Sequence, residues 1–190
     1  MASEVSQSDN SLSGNAMQAA RDINVNNFPT AAVDSRRLRK ILDQFRFEKA
    51  NNKQFSQTVE KLAYFKNYAD FEIRRTLEEK LRAANRDSQL RHALRMKELF
   101  ARRLIEHELY ESAQEADACL LGEVCTRFNN SIYPLIIKRE SEVVIAHAIE
   151  TQVVTPVMAL LGDDELLSHR REEVFGMIFF LTGNCHINWD

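Results

Sequence analysis

From Ser88 to Gly122 the chain runs without a glycine or a proline, and its apolar residues recur at helical spacing. Leu90, Leu94, Ala101, Ile105, Leu109, Ala113, Ala116, Leu120, Val124 and Phe128 follow steps of three, four or seven, the period of one helix face. Unbroken, a helix over Ser88–Asn129 spans ~60 Å at 1.5 Å per residue, beyond the width of a compact domain. Such a helix acts as a spine or pairs with another chain; a break at Gly122 is the alternative. Five Gly and three Pro in 190 residues are too few for a β-rich chain full of tight turns. The predicted fold is all-α, an elongated helical bundle with a long central helix behind a disordered N-terminal tail.

Residues 1–33, rich in Ser and Asn, offer little apolar surface against the entropy of ordering. Within them Asp22–Asn26 alternates polar and apolar residues, so it reads either as tail or as a short strand for a partner's sheet edge. The helical domain is 34–190. Asp34 or Ser35 is placed to cap a first helix carrying Leu38, Ile41, Leu42 and Phe45, and Asn51-Asn52 ends it. A second helix is expected from about Gln54 with Phe55, Val59, Leu62 and Phe65, and a third from Asp70 with Phe71, Ile73, Leu77, Leu81 and Ala84. Val143–Val154 is apolar nearly all round, so it is expected to be buried. Asp163 or Asp164 is the expected cap of a last helix through Val174, Phe175, Ile178 and Leu181, with Gly183 as its left-handed stop.

Net charge is -3, but residues 34–106 hold 19 Lys or Arg against 11 Asp or Glu, and residues 107–190 hold 5 against 14. A basic half and an acidic half suit partners of opposite charge, copies of the chain docked head to tail, or plain solvated helix faces. The densest basic cluster, Arg36, Arg37, Arg39 and Lys40, lies where the helix dipole disfavours cations. A nucleic-acid backbone would offset that cost; pairing with Asp34, Asp43 and the acidic half is the simpler reading.

The glycines stand alone, so no phosphate-cradling loop is formed. The five histidines show no HxxxH or HExxH spacing, and Cys119, Cys125 and Cys185 form no CxxC. No frame for a nucleophile is present, and the paired carboxylates read as caps and surface groups. No catalytic centre, metal or cofactor is expected. Three cysteines and no secretory leader point to reduced thiols in the cytoplasm. The longest apolar run, Gly176–Gly183, falls short of the ~20 residues that span a bilayer, so no membrane crossing is expected. The one tryptophan, Trp189, lies in an extended segment whose Cys185, Ile187 and Trp189 share a face opposite His186. That face either closes the chain's own core or enters a partner's groove.

Two stretches carry a family resemblance. Gly14–Asn24 (GNAMQAARDIN) resembles the GN-x-x-QAGRDIN-like leader that precedes domains of many bacterial conflict proteins, with Ala20 where Gly is frequent. Phe180–Trp189 (FLTGNCHINW) is similar to the tail of helical domains in ABC three-component (Lamassu-like) anti-phage systems. The resemblance covers roughly a fifth of the chain and includes no catalytic motif. It implies a bacterial antiviral assembly in which an SMC-like ABC ATPase senses foreign DNA beside accessory and effector subunits. The expected function is therefore a non-catalytic subunit or adaptor that bridges that ATPase or an effector, with Cys185, His186, Ile187 and Trp189 as partner-binding residues. Direct nucleic-acid binding through Arg36, Arg37, Arg39 and Lys40 is the alternative.

Overall fold

The computed structural model describes residues 34–69, 75–161 and 171–190. The leader, the strand-like Asp22–Asn26, Phe71, Ile73 and the expected caps Asp163 and Asp164 lie outside the described residues. Among those described, every regular element is helical: α1 (Ser35–Ala50), α2 (Glu60–Lys66), α3 (Leu77–Ala83), α4 (Leu90–His107), α5 (Glu111–Arg127), α6 (Tyr133–Ile137), α7 (Glu142–Ala148), α8 (Thr155–Leu161) and α9 (Arg171–Gly183). Asp34 caps α1 as expected, its carboxylate accepting the Arg36 N–H at 2.9 Å. Thr76 starts α3 with a capping box, trading hydrogen bonds with Glu79. The second helix begins only at Glu60, leaving Phe55 in the loop before it.

Four helices end in the same frame, with a left-handed residue followed by an N–H that reaches five residues back. Asn52, Asn85, Arg139 and Cys185 have φ of 50°, 60°, 57° and 66°. The next residues, Lys53, Arg86, Glu140 and His186, donate to the carbonyls of Glu48, Leu81, Leu135 and Leu181. The stop after α9 is thus Cys185; Gly183, expected in that role, is the last residue of the helix.

The predicted long helix is two helices. Glu108–Tyr110 break the chain, whereas Gly122 lies inside α5. No glycine makes this break; distant side chains do. The Glu48 carboxylate accepts from the Ser112 hydroxyl at 2.6 Å and its N–H at 3.2 Å, capping α5 from α1. Buried Gln114 accepts from the Val59 N–H and donates to the Glu108 carbonyl. Beyond α5 the helix widens to a π turn at Phe128–Ile132 ahead of Pro134, and again at Ile149–Val154 ahead of Pro156. Proline lacks the N–H for an α turn and crowds the carbonyl four residues back, so the wider turn accommodates it.

One core joins all these helices. Leu38 and Leu42 of α1 and Phe65 of α2 share it with Phe100, Leu120, Phe128, Val153 and Ile178. Glu142–Leu161 packs Ile145, Ile149, Val153, Val154, Val157 and Leu161 inward, while Val143 is 79% exposed, so the helix expected to be buried all round has an open face. By length and composition (20 residues, hydropathy 1.6) it is also apolar enough to cross a membrane, a property hidden in the sequence by Glu142 and Glu150. Two polar contacts are shut between α4, α5 and α9: the Arg103–Glu173 ion pair, and a hydrogen bond of His107 Nδ1 with Asp117 at 2.7 Å.

The tightest approach is α4 against α9. A Cβ on Gly176 would stand 2.5 Å from the Met96 carbonyl oxygen and 2.8 Å from Phe100 Cβ. Gly176→Ala therefore has to part the two helices, at about 2 kcal/mol for overpacking. Melting should fall by roughly 4–8 °C in a protein of this size, and an unchanged melting temperature would show that α9 yields freely.

Candidate functional site

The segment after α9 turns back over the bundle and is held from three sides. Lys80 of α3 is 1% exposed, and its Nζ donates to the carbonyls of Thr182 at 2.8 Å and Ile187 at 3.4 Å. Burial pulls the ammonium's pKa down, opposed by Cys185 and Asp190. The Asn184 side chain donates to the Phe65 carbonyl at 2.9 Å, and its own carbonyl accepts from the Ala69 N–H. Arg75 clasps Asp190 with two hydrogen bonds of 2.5 and 2.8 Å and holds that carboxyl below its usual 3.8.

These ties place the residues read as a partner surface. Cys185, Ile187 and Trp189 are all buried in the chain's own core, sharing one face as expected. Trp189 meets Phe128 edge-on, lies parallel to Phe179, and donates its Nε1–H to Thr182 Oγ1 at 3.0 Å. Arg86 stacks on the indole, with Cζ 4.9 Å from the ring centroid. His186 is half-buried between the Tyr64 and Phe65 rings, hydrogen-bonded to the Asn67 carbonyl, and burial lowers its pKa.

Arg36, Arg37, Arg39 and Lys40 all lie exposed on α1. Asp34 caps the helix end through the Arg36 backbone, and Asp43 pairs with Arg46. Among the described residues no ion pair holds the four cations themselves.

The apolar stripe read along this stretch is split in α4: Leu90 packs against the core, while others face solvent. Leu94 is 51% and Ile105 68% exposed, with Leu109 open beside them. The buried set is Ala93, Met96, Phe100, Leu104 and His107, one position away and equally regular in spacing. In α5 the same stripe turns inward, and Ala113, Ala116, Leu120 and Val124 are buried. Helix α4 is apolar on two faces, and one of them has no cover within the described residues.

All three cysteines are free thiols, and burial pushes Cys125 up to about 11. Among the described residues no three His, Cys, Asp or Glu side chains are grouped to hold a metal ion.

The family model described as CTD9, C-terminal domain 9 of the ABC-three component (ABC-3C) systems, matches residues 76–189, more than half of the chain. Comparison with curated proteins and with solved structures gives no match.

Trp189→Ala should cost roughly 3 kcal/mol, as large aromatic deletions from cores do, and lower melting by roughly 6–12 °C. Trp189→Phe keeps most of the packing but strands Thr182 Oγ1, for about 1 kcal/mol. Equal melting of both variants and the parent would mean that the segment is not seated. The Asp190 contribution is present above the unfolded value near 3.8 and lost as pH falls through the lower folded one.

Proposed function

The chain belongs to this family, C-terminal domain 9 of the ABC-three component systems, and from that premise we propose that it is a non-catalytic helical subunit or adaptor. It docks onto the other components, an SMC-like ABC ATPase or an effector, in the cytoplasm of a bacterium. The observation that carries this reading is the open stripe of α4. Leu94 and Ile105 are eleven residues apart, which keeps them on one side of the helix, and Leu109 follows in the break after it. With Ala101 between Leu94 and Ile105, and Glu98 and Arg102 on the same side, they form a strip of apolar anchors and charges that fits an amphipathic helix of a partner. The Glu98–Arg102 ion pair at 2.6 Å on that side supplies a polar rim.

The test uses exposed residues, so folding is kept apart from binding. Leu94→Asp with Ile105→Asp should leave melting within about 2 °C, since surface changes away from special contacts are nearly neutral. Co-purification with an SMC-like ABC ATPase or effector subunit of such a system should be lost. Retained co-purification by the folded variant would remove α4 as the docking face.

One observation favours a second reading, direct nucleic-acid binding: the four cations at the start of α1 are exposed and unengaged within the described chain. Changing Arg36, Arg37, Arg39 and Lys40 together to Ala should weaken duplex DNA binding and flatten its salt dependence by up to ~4 units of slope. An unaltered slope, or no retention of the parent protein on DNA at moderate salt, would sink this reading.

A further inference from the structure

Beside Trp189 a cavity of about 100 Å³ opens between the turn that enters α4, helix α7 with its π turn, and α9. Its walls are mostly apolar: the Trp189 indole, Phe179 and Ile149 among them. Two polar side chains line it, Arg86 and Gln89. Arg86 is only 5% exposed. Its guanidinium lies over the face of Trp189. Among the described residues neither its guanidinium nor the Gln89 amide has a hydrogen bond or an ion pair. Glu142 acts on Arg86 through space without pairing with it, and burial lowers the guanidinium's pKa. A guanidinium carries five donors in a planar fork. Those donors face the cleft without a partner among the described residues, and a carboxylate is the group that matches the fork in shape and charge.

We propose that this cleft binds a short apolar carboxylate, with the carboxylate on the Arg86 fork and the Gln89 amide and the hydrocarbon against Trp189, Phe179 and Ile149. An apolar cavity of about 150 Å³ takes a benzene ring, so about 100 Å³ suits a body of about four carbons, with a ring reaching into the open mouth. Two sources carry this chemistry: a free branched or aromatic acid, and the last residue of a peptide chain with its terminal carboxylate. Ala146 is exposed at the rim of the cleft, so the mouth opens to solvent beside α7. The inference goes beyond the adaptor reading and needs no partner subunit, so either can fail alone.

Trp189 is the one tryptophan in the chain, which makes its emission a direct report on the cleft. The full chain at neutral pH is titrated with 3-methylbutanoate, with benzoate, and with a tetrapeptide ending in leucine. Saturable change is expected with at least one acid, and the matching amide or amidated peptide should bind at least about tenfold more weakly. Ala146→Phe, which plugs the mouth from the surface, should abolish the response with unchanged melting. Glu142→Gln should tighten binding, because it removes the carboxylate that competes for Arg86. Arg86→Met should lose it. Tighter binding of the free-ended peptide than of 3-methylbutanoate identifies a chain terminus as the source; the reverse order identifies a free acid. No saturable response to any acid, equal binding of acid and amide, or an undiminished response in folded Ala146→Phe would overturn the proposal.

Discussion

A single ammonium inside the bundle decides where the last segment of the chain lies. Lys80 sits among Leu77 and Leu81 on the buried side of α3, where water cannot satisfy it. Its charge is tolerable only because the carbonyls of Thr182 and Ile187 turn toward it. Those carbonyls belong to the end of α9 and to the segment beyond, so one group fixes both. Thr182 is then used twice more: its hydroxyl donates to the Ile178 carbonyl and accepts from the Trp189 indole. Removing the ammonium would leave the Ile187 carbonyl without this partner and the Thr182 carbonyl with only the Cys185 N–H, a larger loss than the hydrogen bonds themselves. The cleft follows from the same anchor, because Arg86 has a ring to stack on only where Trp189 is held.

The helical class, the Asp34 cap and the break at Asn51-Asn52 were legible because each rests on local chemistry. The three-residue spacing of Thr76 and Glu79 was an equally local signal for the start of α3. What periodicity could not decide was which face of α4 turns inward. Leu94, Ile105 and Leu109 form as regular a stripe as Ala93, Met96, Phe100 and Leu104, and only tertiary packing separates them. The break at Glu108–Tyr110 was hidden for a similar reason, since Glu48 acts on Ser112 across 64 residues of sequence. Gly183 was a reasonable stop, but hydrogen bonds of Asn184 with Phe65 and Ala69 carry the helical frame past it and leave Cys185 to turn left-handed. Lys80 had a readable sign, a lysine on an apolar helix face. Arg86 had none, because its role depends on a tryptophan a hundred residues away.

The polar groups inside the bundle have a cost that shapes the fold. Arg103 Nε and Asp117 Oδ1 are buried without a hydrogen bond, although each side chain has a partner at another atom, Glu173 for Arg103 and His107 for Asp117. Burial lowers the pKa of Arg103 and raises that of Glu173, so each partner resists its charge while the other supports it. Pairs of this kind add little stability against apolar replacements, but an alternative packing that separates them strands a charge. They therefore fix how α9 sits on α4 and α5. The same rigidity leaves the outer face of α4 in one position, with its apolar stripe presented rather than folded away.

The matched region runs from Thr76, the residue that caps α3, to Trp189, the residue that docks against the core. Helices α1 and α2 lie outside it, yet Leu38, Leu42, Leu62 and Phe65 are buried in the same core. They are therefore part of one folded body and not a separable attachment. This divides the two functional readings by where they rest. The α4 stripe and the Arg86 cleft lie within the matched region, so they belong to the part of the chain that defines its family. The basic cluster lies on α1, outside that region, on a helix whose inward face is already engaged with α5 through Leu42 and Glu48. A docking role can thus be carried by the family domain itself, whereas nucleic-acid contact would be an addition made by the helices that precede it.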